Sequence, residues 1–171
     1  MVMINSSHIL FPTYSLHCVE GISSLLAEMF VYAGACSTFG TQYSGDRLTS
    51  LRMKYPIGIA YDRASTIYLS LHEYKDIISI DIQTDAASHV GRLHYSPRYI
   101  ALSINNRKLF VTVLHGVGAL SLDDGSFQLI SGSGNTGSDV GHITNTTFSN
   151  AYGLQIMDQS TWIVADYDNS R

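Results

Sequence analysis

The chain has 171 residues, a one-domain length, and is 45% hydrophobic, 11% aromatic and 14% charged, the composition of a globular protein with a lean surface. Its ten Lys and Arg against fourteen Asp and Glu give a formal net charge of −4. The basic residues are scattered, so no extended phosphate-binding face, and hence no nucleic-acid partner, is expected.

Residues 1–29 stand apart from the rest of the chain. Met1 to Val19 carries no Asp, Glu, Lys or Arg, but Asn5, Ser6, Ser7, His8, Pro12 and His17 interrupt it. It is too polar to cross a bilayer as ~20 apolar residues, so no membrane span is read here. The first basic residue is Arg47, so the basic start of a secretory leader is missing too. Ile22, Leu25, Leu26, Met29 and Phe30 fall at i, i+3, i+4, i+7 and i+8. That spacing predicts a short helix packed on a sheet edge, and the other reading is the worn end of a preceding repeat.

From Phe30 the pattern changes. Phe30 to Ala33 reads as a strand, and a long polar loop runs from Ala35 to Tyr55. Then come three strand-length runs rich in β-branched and aromatic residues: Ile57 to Tyr61, Thr66 to Leu71 and Ile77 to Ile82. Asp62 to Ser65 and His72 to Asp76 separate them as hairpin-length turns, which predicts an antiparallel meander.

The unit recurs. Tyr68 and Phe110 lie 42 residues apart within Ile67-Tyr68-Leu69-Ser70 and Leu109-Phe110-Val111-Thr112, and Ile78-Ser79-Ile80-Asp81 is echoed 42 residues on by Leu120-Ser121-Leu122-Asp123. A third copy opens at Asn150 and runs through Trp162-Ile163-Val164-Ala165-Asp166 to Asn169-Ser170-Arg171. A period of ~40 to 50 residues is the mark of a propeller. The wording Pro56-Ile57-Gly58-Ile59, the Ile-x-x-Ile-Asp strand and Val164-Ala165-Asp166 with Asn169 resemble NHL-type repeats, the blade units of six-bladed β-propellers.

The resemblance implies an all-β fold, a partial β-propeller of four-stranded antiparallel blades. A non-repeat segment would occupy 1–29 and the partial propeller 30–171, with repeats at about 30–82, 88–123 and 128–171. The third repeat stops where its next strand is due, so the remaining blades are expected from a longer chain. An open half-ring leaves edges and blade faces unpaired and is expected to self-associate. Expected core residues include Ile57, Ile59, Tyr68, Ile78, Ile80, Ile100, Leu102, Phe110, Val111, Leu120, Leu122, Leu154, Ile156, Ile163 and Val164.

Two long crossovers, Ala35 to Tyr55 and Ser133 to Asn150, offer Ser, Thr, Asn and Gly hydrogen bonds but no nucleophile-base pair. No catalytic residue and no cofactor is expected. Candidate partner contacts are Phe39, Tyr43, Asp46, Asp139 and His142, while Met53 and Phe148 are expected to plug the core below their loops. Asp166 and Asn169 read as hairpin-turn residues. His72 and His115, 43 residues apart, have the one metal-like spacing between repeats; with no third ligand in sight, turn roles are expected and no metal.

Cys18 and Cys36 can form one disulfide or none. Asn5-Ser6-Ser7 and Asn145-Thr146-Thr147 are acceptor sequons, Asn145 being the glycosylation candidate on a loop. Similar repeats in secreted animal proteins often carry a Cys after Ala-Gly, where Cys36 stands. Together these imply a non-enzymatic scaffold for a protein or glycan partner, extracellular or at the cell surface. The alternatives that the resemblance leaves open are a metal-dependent lyase or lactonase and a cytoplasmic RNA- or protein-binding domain.

Overall fold

The computed structural model describes residues 1–47 and 50–170, and the chain folds into two compact units, Met1–Arg92 and Leu93–Arg171. Among the described residues there is no α-helix, only two three-residue 3-10 turns.

In the first unit, Val2–Met3 (β1), His8–Thr13 (β2), Cys18–Ser23 (β3) and Glu28–Ala33 (β4) form an antiparallel sheet in chain order. The helix expected over Ile22 to Phe30 is therefore overturned. The apolar spacing spans a turn: β3 ends at Ser23, whose Oγ accepts the Leu26 amide at 3.2 Å, and Ala27 takes φ +53. Past the turn, Met29 and Val31 face outward while Phe30 and Tyr32 face in, a period of two that only a paired strand satisfies. Residues 1–29 are accordingly no separate segment, since they supply three strands of a complete sheet and the start of the fourth.

Pro56–Tyr61 (β6), Thr66–Leu71 (β7), Asp76–Asp81 (β8) and Ala86–Arg92 (β9) form the second sheet, and Gly45–Asp46 (β5) adds to its outer edge against β9. Its turns are closed locally. Asp62 Oδ1 accepts the amides of Ala64, Ser65 and Thr66 at 2.8, 3.0 and 2.9 Å, and Asp81 Oδ1 those of Gln83 and Thr84. Leu10, Val19 and Tyr32 of the first sheet pack with Ile59, Ile67, Leu69, Leu71, Ile78 and Ile80 of the second, over Leu51 and Met53. Tyr68, expected inside, is only half-buried. The pleat turns Ile67, Leu69 and Leu71 to the core, and Tyr68 to the other face.

In the second unit, Ile100–Leu102 (β10), Lys108–Val113 (β11), Gly116–Ser121 (β12) and Phe127–Ser131 (β13) form a four-stranded antiparallel sheet. Ala151–Ile156 (β14) and Trp162–Asp166 (β15) form a two-stranded one. Val117, Phe148 and Ala151 make a small core with Leu154 and Val164. Ile163 was expected there but is 56% exposed, because Trp162 and Val164 take the inward face of β15. Gly118 lets the Phe127 ring lie on the sheet: a Cβ there would sit 2.2 Å from the ring.

The second and third sheets share one device at the same repeat position. The bulge that opens β6 presents the Gly58 amide to Ser70 Oγ at 2.8 Å, and ahead of β10 the Tyr99 amide meets Thr112 Oγ1 at 3.0 Å. Ser70 and Thr112 are one 42-residue period apart. Each buried hydroxyl caps an amide that the ladder leaves unpaired.

Candidate interaction surface

In the first unit, three connections meet at one end of the sheets: the β2–β3 turn, the β7–β8 turn and the crossover from β4 to β6. Tyr14–Leu16 forms a 3-10 turn that His17 ends at φ 60. His17 Nδ1 accepts the Tyr55 amide at 3.3 Å, so the tautomer carries its proton on Nε2. The Cys18–Cys36 disulfide, Cα to Cα 5.1 Å, straps the crossover to the first residue of β3. Close by, the Ser37 amide donates to Leu16 O at 2.7 Å.

These ties hold an aromatic cluster. Tyr14 stacks on Tyr55 at 4.3 Å between centroids, and His17 contacts Phe39 at 5.3 Å and Tyr55 at 4.8 Å. Lys54 Nζ lies over the rings of Phe39, Tyr55 and Tyr74 at 5.1, 5.3 and 5.8 Å, and 3.4 Å from Glu73 Oε1. Three ring faces and a carboxylate thus hold one ammonium. Phe39 and Tyr14 still expose 59% and 46% of their surface.

The other expected contacts of this crossover go elsewhere. Tyr43 is buried and stacks on His89 at 6.0 Å. Burial, then the Asp76 carboxylate, push its phenol well above the usual range, and its hydroxyl makes no hydrogen bond of good geometry. It is a core residue, not an exposed anchor. Asp46 is exposed but belongs to β5, opposite Ala86, and its carbonyl receives the amides of Ser50 and Leu51. Arg47 is structural: its side chain bonds Asp85 Oδ1 at 2.6 Å and Tyr32 O, and its guanidinium covers the Tyr32 ring at 4.4 Å.

Beneath Tyr43, Asp76 is wholly buried and accepts Arg92 at 2.7 and 2.9 Å and His89 Nε2 at 3.1 Å. Burial alone would raise its pKa, but the hydrogen bonds from Arg92 and His89 outweigh it, and the carboxyl is held below its ordinary value.

In the second unit, residues 137–148 form a closed loop. The Gly137 amide donates to Phe148 O at 3.3 Å, the Asp139 amide to Thr147 Oγ1 at 2.8 Å, and the Asn145 amide to His142 O at 2.8 Å. Phe148 is buried below it, as is Met53 below the first crossover. The loop is pinned from β15: Asp166, 1% exposed, accepts the amides of Ser149 and Asn150 at 3.1 and 2.8 Å and Asn169 Nδ2 at 2.6 Å, and Asn169 Nδ2 reaches Gly137 O at 2.7 Å. Asp139, His142, Asn145 and Val140 are left exposed at its tip.

His115 Nδ1 donates to Phe148 O at 3.2 Å and Nε2 faces Thr136 Oγ1 at 3.4 Å, a loop-holding role. His72 lies beside Tyr14 at 6.5 Å. Among the described residues no group of three or more His, Cys, Asp or Glu is placed to hold a metal ion, and no helix is long and apolar enough to cross a membrane. Sequence reading missed Tyr14, His17, Lys54, Tyr55 and Tyr74 as a cluster. The repeat register signalled only the last two, because Tyr14 and His17 sit in the stretch where no repeat was legible.

No protein-family model and no curated protein matches the sequence. Solved structures match in shape. The chain aligns with a nidogen/laminin complex chain at 17% identity and TM-score 0.58, covering 87% of this chain and 48% of that one. With streptogramin B lyase the figures are 12%, 0.61, 96% and 46%, and with hydrazine synthase of Kuenenia stuttgartiensis 12%, 0.53, 74% and 32%. At these identities the likeness speaks to fold: four-stranded antiparallel blades of a β-propeller. The chain spans less than half the length of each of these matched chains.

Proposed function

We propose that this chain belongs to an NHL-type propeller scaffold that binds a protein partner without catalysis, at the end of the first unit where Tyr14, Phe39, Lys54 and Tyr55 converge. The observation that carries the reading is the pairing of rigidity with exposure. Phe39 and Tyr14 are large, exposed rings locked by stacking and by the disulfide-strapped crossover, which lowers the entropy lost on binding. The 137–148 loop of the second unit, with Asp139, His142 and Asn145 at its tip, offers a separate set of polar contacts, suited to a protein or a glycan.

The disulfide and the exposed Asn145 sequon support an oxidising, extracellular or cell-surface setting. The alternative, a lyase or lactonase on the same scaffold, draws on fold likeness to streptogramin B lyase alone.

Photo-crosslinking tests the binding reading. A benzophenone amino acid at position 39 should give a discrete protein adduct on cells, one at exposed Arg63 in the β6–β7 turn should not, and Tyr14→Ala should abolish the adduct while leaving the melting curve in place. Equal labelling from positions 39 and 63 would refute it.

A further inference from the structure

The second unit holds a hollow that neither the Tyr14 end nor the 137–148 loop uses. It lies between the β10–β11 turn and the β14–β15 turn and has a volume of about 300 Å³. β14 packs against β10 and β11, and Thr112 Oγ1 of β11 donates to Tyr152 O of β14 at 2.7 Å, which ties the two sheets together there. The floor is apolar. Buried Phe110 and half-buried Trp162 lie 4.3 Å apart between ring centroids, their planes at 42°, and Ile156 joins them. Both walls are made by these two sheets, and a strand added after β15 would pair along the edge that β14 leaves free, so the hollow is not a blade face awaiting a neighbour. The polar rim is preformed. Ser103 Oγ accepts the Lys108 amide at 3.0 Å and donates to Asn105 Oδ1 at 2.8 Å, while Asp158 Oδ1 accepts the Ser160 and Thr161 amides at 2.7 and 2.9 Å. These bonds close the turns and occupy one oxygen of each side chain. Asn105 Nδ2, the Gln159 carboxamide and the Lys108 ammonium make no hydrogen bond or ion pair among the described residues, although all three side chains line the hollow.

We infer that this hollow binds one neutral pyranose ring, the terminal sugar of a glycan. A pyranose has a flat side of C–H groups, which lie favourably on the negative face of an aromatic ring, and a rim of hydroxyls that each donate and accept. The hollow offers the counterpart of both: Trp162 and Phe110 on the floor, and Asn105, Lys108, Gln159 and Asp158 around it. Donors from Asn105 and Lys108 beside an acceptor from Asp158 suit neighbouring hydroxyls, one accepting while the other donates. Lys108 is the single cation among the lining residues and Asp158 opposes it, which favours a neutral sugar over a phosphate or a uronate. The volume stands at the lower end of ligand sites, which fits one ring and not a chain of them. The site stands apart from the partner contacts at the Tyr14 end and does not rest on them.

Trp162 is the single tryptophan, so its fluorescence reports occupancy of the hollow directly. The test titrates the full chain with the methyl glycosides of glucose, galactose, mannose and N-acetylglucosamine, following Trp162 emission and saturation transfer to the sugar protons. Expected is a saturable blue shift with at least one of them, at millimolar concentration. Gln159→Ala and Asn105→Asp should each weaken it about fivefold, the loss of one hydrogen bond. Asn105→Asp keeps the Oδ1 that closes the turn, so the fold is unchanged. His142→Ala, in the 137–148 loop, should leave binding in place. No shift and no saturation transfer with any glycoside would overturn the inference, as would binding that both rim variants leave intact or that His142→Ala removes. A shift produced by free leucine and by none of the glycosides would give the opposed charges of Lys108 and Asp158 to a zwitterion, and equally overturn it. None of these readouts depends on the adduct at position 39.

Discussion

Opening the Cys18–Cys36 disulfide should destabilise the first unit by about 3 kcal/mol, the chain-entropy value for a loop of this size. The two cysteines are 18 residues apart, and releasing them restores that loop entropy to the unfolded chain. The folded side of the balance changes little. The crossover is also held by the Ser37 amide on Leu16 O and the Gly34 amide on Arg47 O, both at 2.7 Å, and by His17 on the Tyr55 amide. The loss is thus carried by the unfolded state, and the reduced protein should keep its native circular dichroism in buffer. Urea unfolding with and without reductant measures it, followed by far-UV circular dichroism because the single tryptophan, Trp162, lies in the second unit. At a slope of about 2 kcal/mol/M the midpoint should fall by roughly 1.5 M. A midpoint that reduction leaves in place would refute the reasoning, and so would a shift of equal size in a Cys18→Ala/Cys36→Ala protein treated with reductant.

Asp76→Asn should cost about 2 kcal/mol at neutral pH, discounted because Arg92 is mostly exposed although the carboxylate is not. Since the folded pKa of Asp76 is depressed, its contribution is present above about pH 4, the unfolded value, and fades as pH falls through the folded one. The variant should flatten the acid limb of stability against pH. Asp166→Ala strips the acceptor from the Ser149 and Asn150 amides and should cost about 2 kcal/mol, read as faster hydrogen exchange at both amides. Gly132→Ala should cost more than about 2 kcal/mol in thermal melts, because φ is +99 and a Cβ would lie 2.3 Å from His115 O. Expressed through a secretory route, the chain should carry a glycan at Asn145, lost as a mass shift in Asn145→Gln.

Local features of the fold are written in the residues themselves. Short runs of β-branched and aromatic residues at 57–61, 66–71 and 77–82, parted by hairpin-length turns, specify a meander because strand pairing and turn closure act over a few residues. Its 42-residue recurrence specifies blades. Packing between distant segments sets the rest. Ile22 to Phe30 has a helical spacing by accident, since two strands and a turn share one stretch, and it took the pairing of Ile22 with Met29 and Ile9 to show it. Tyr43 and Phe39 stand four residues apart in one polar loop and read alike. Long-range packing sends one under His89 and the other onto His17. Asp166 resembles a turn residue until the end of the preceding crossover lays the Ser149 and Asn150 amides against it. Burial and hydrogen-bond partners across such distances depend on where the whole chain brings its segments together, which no local pattern encodes.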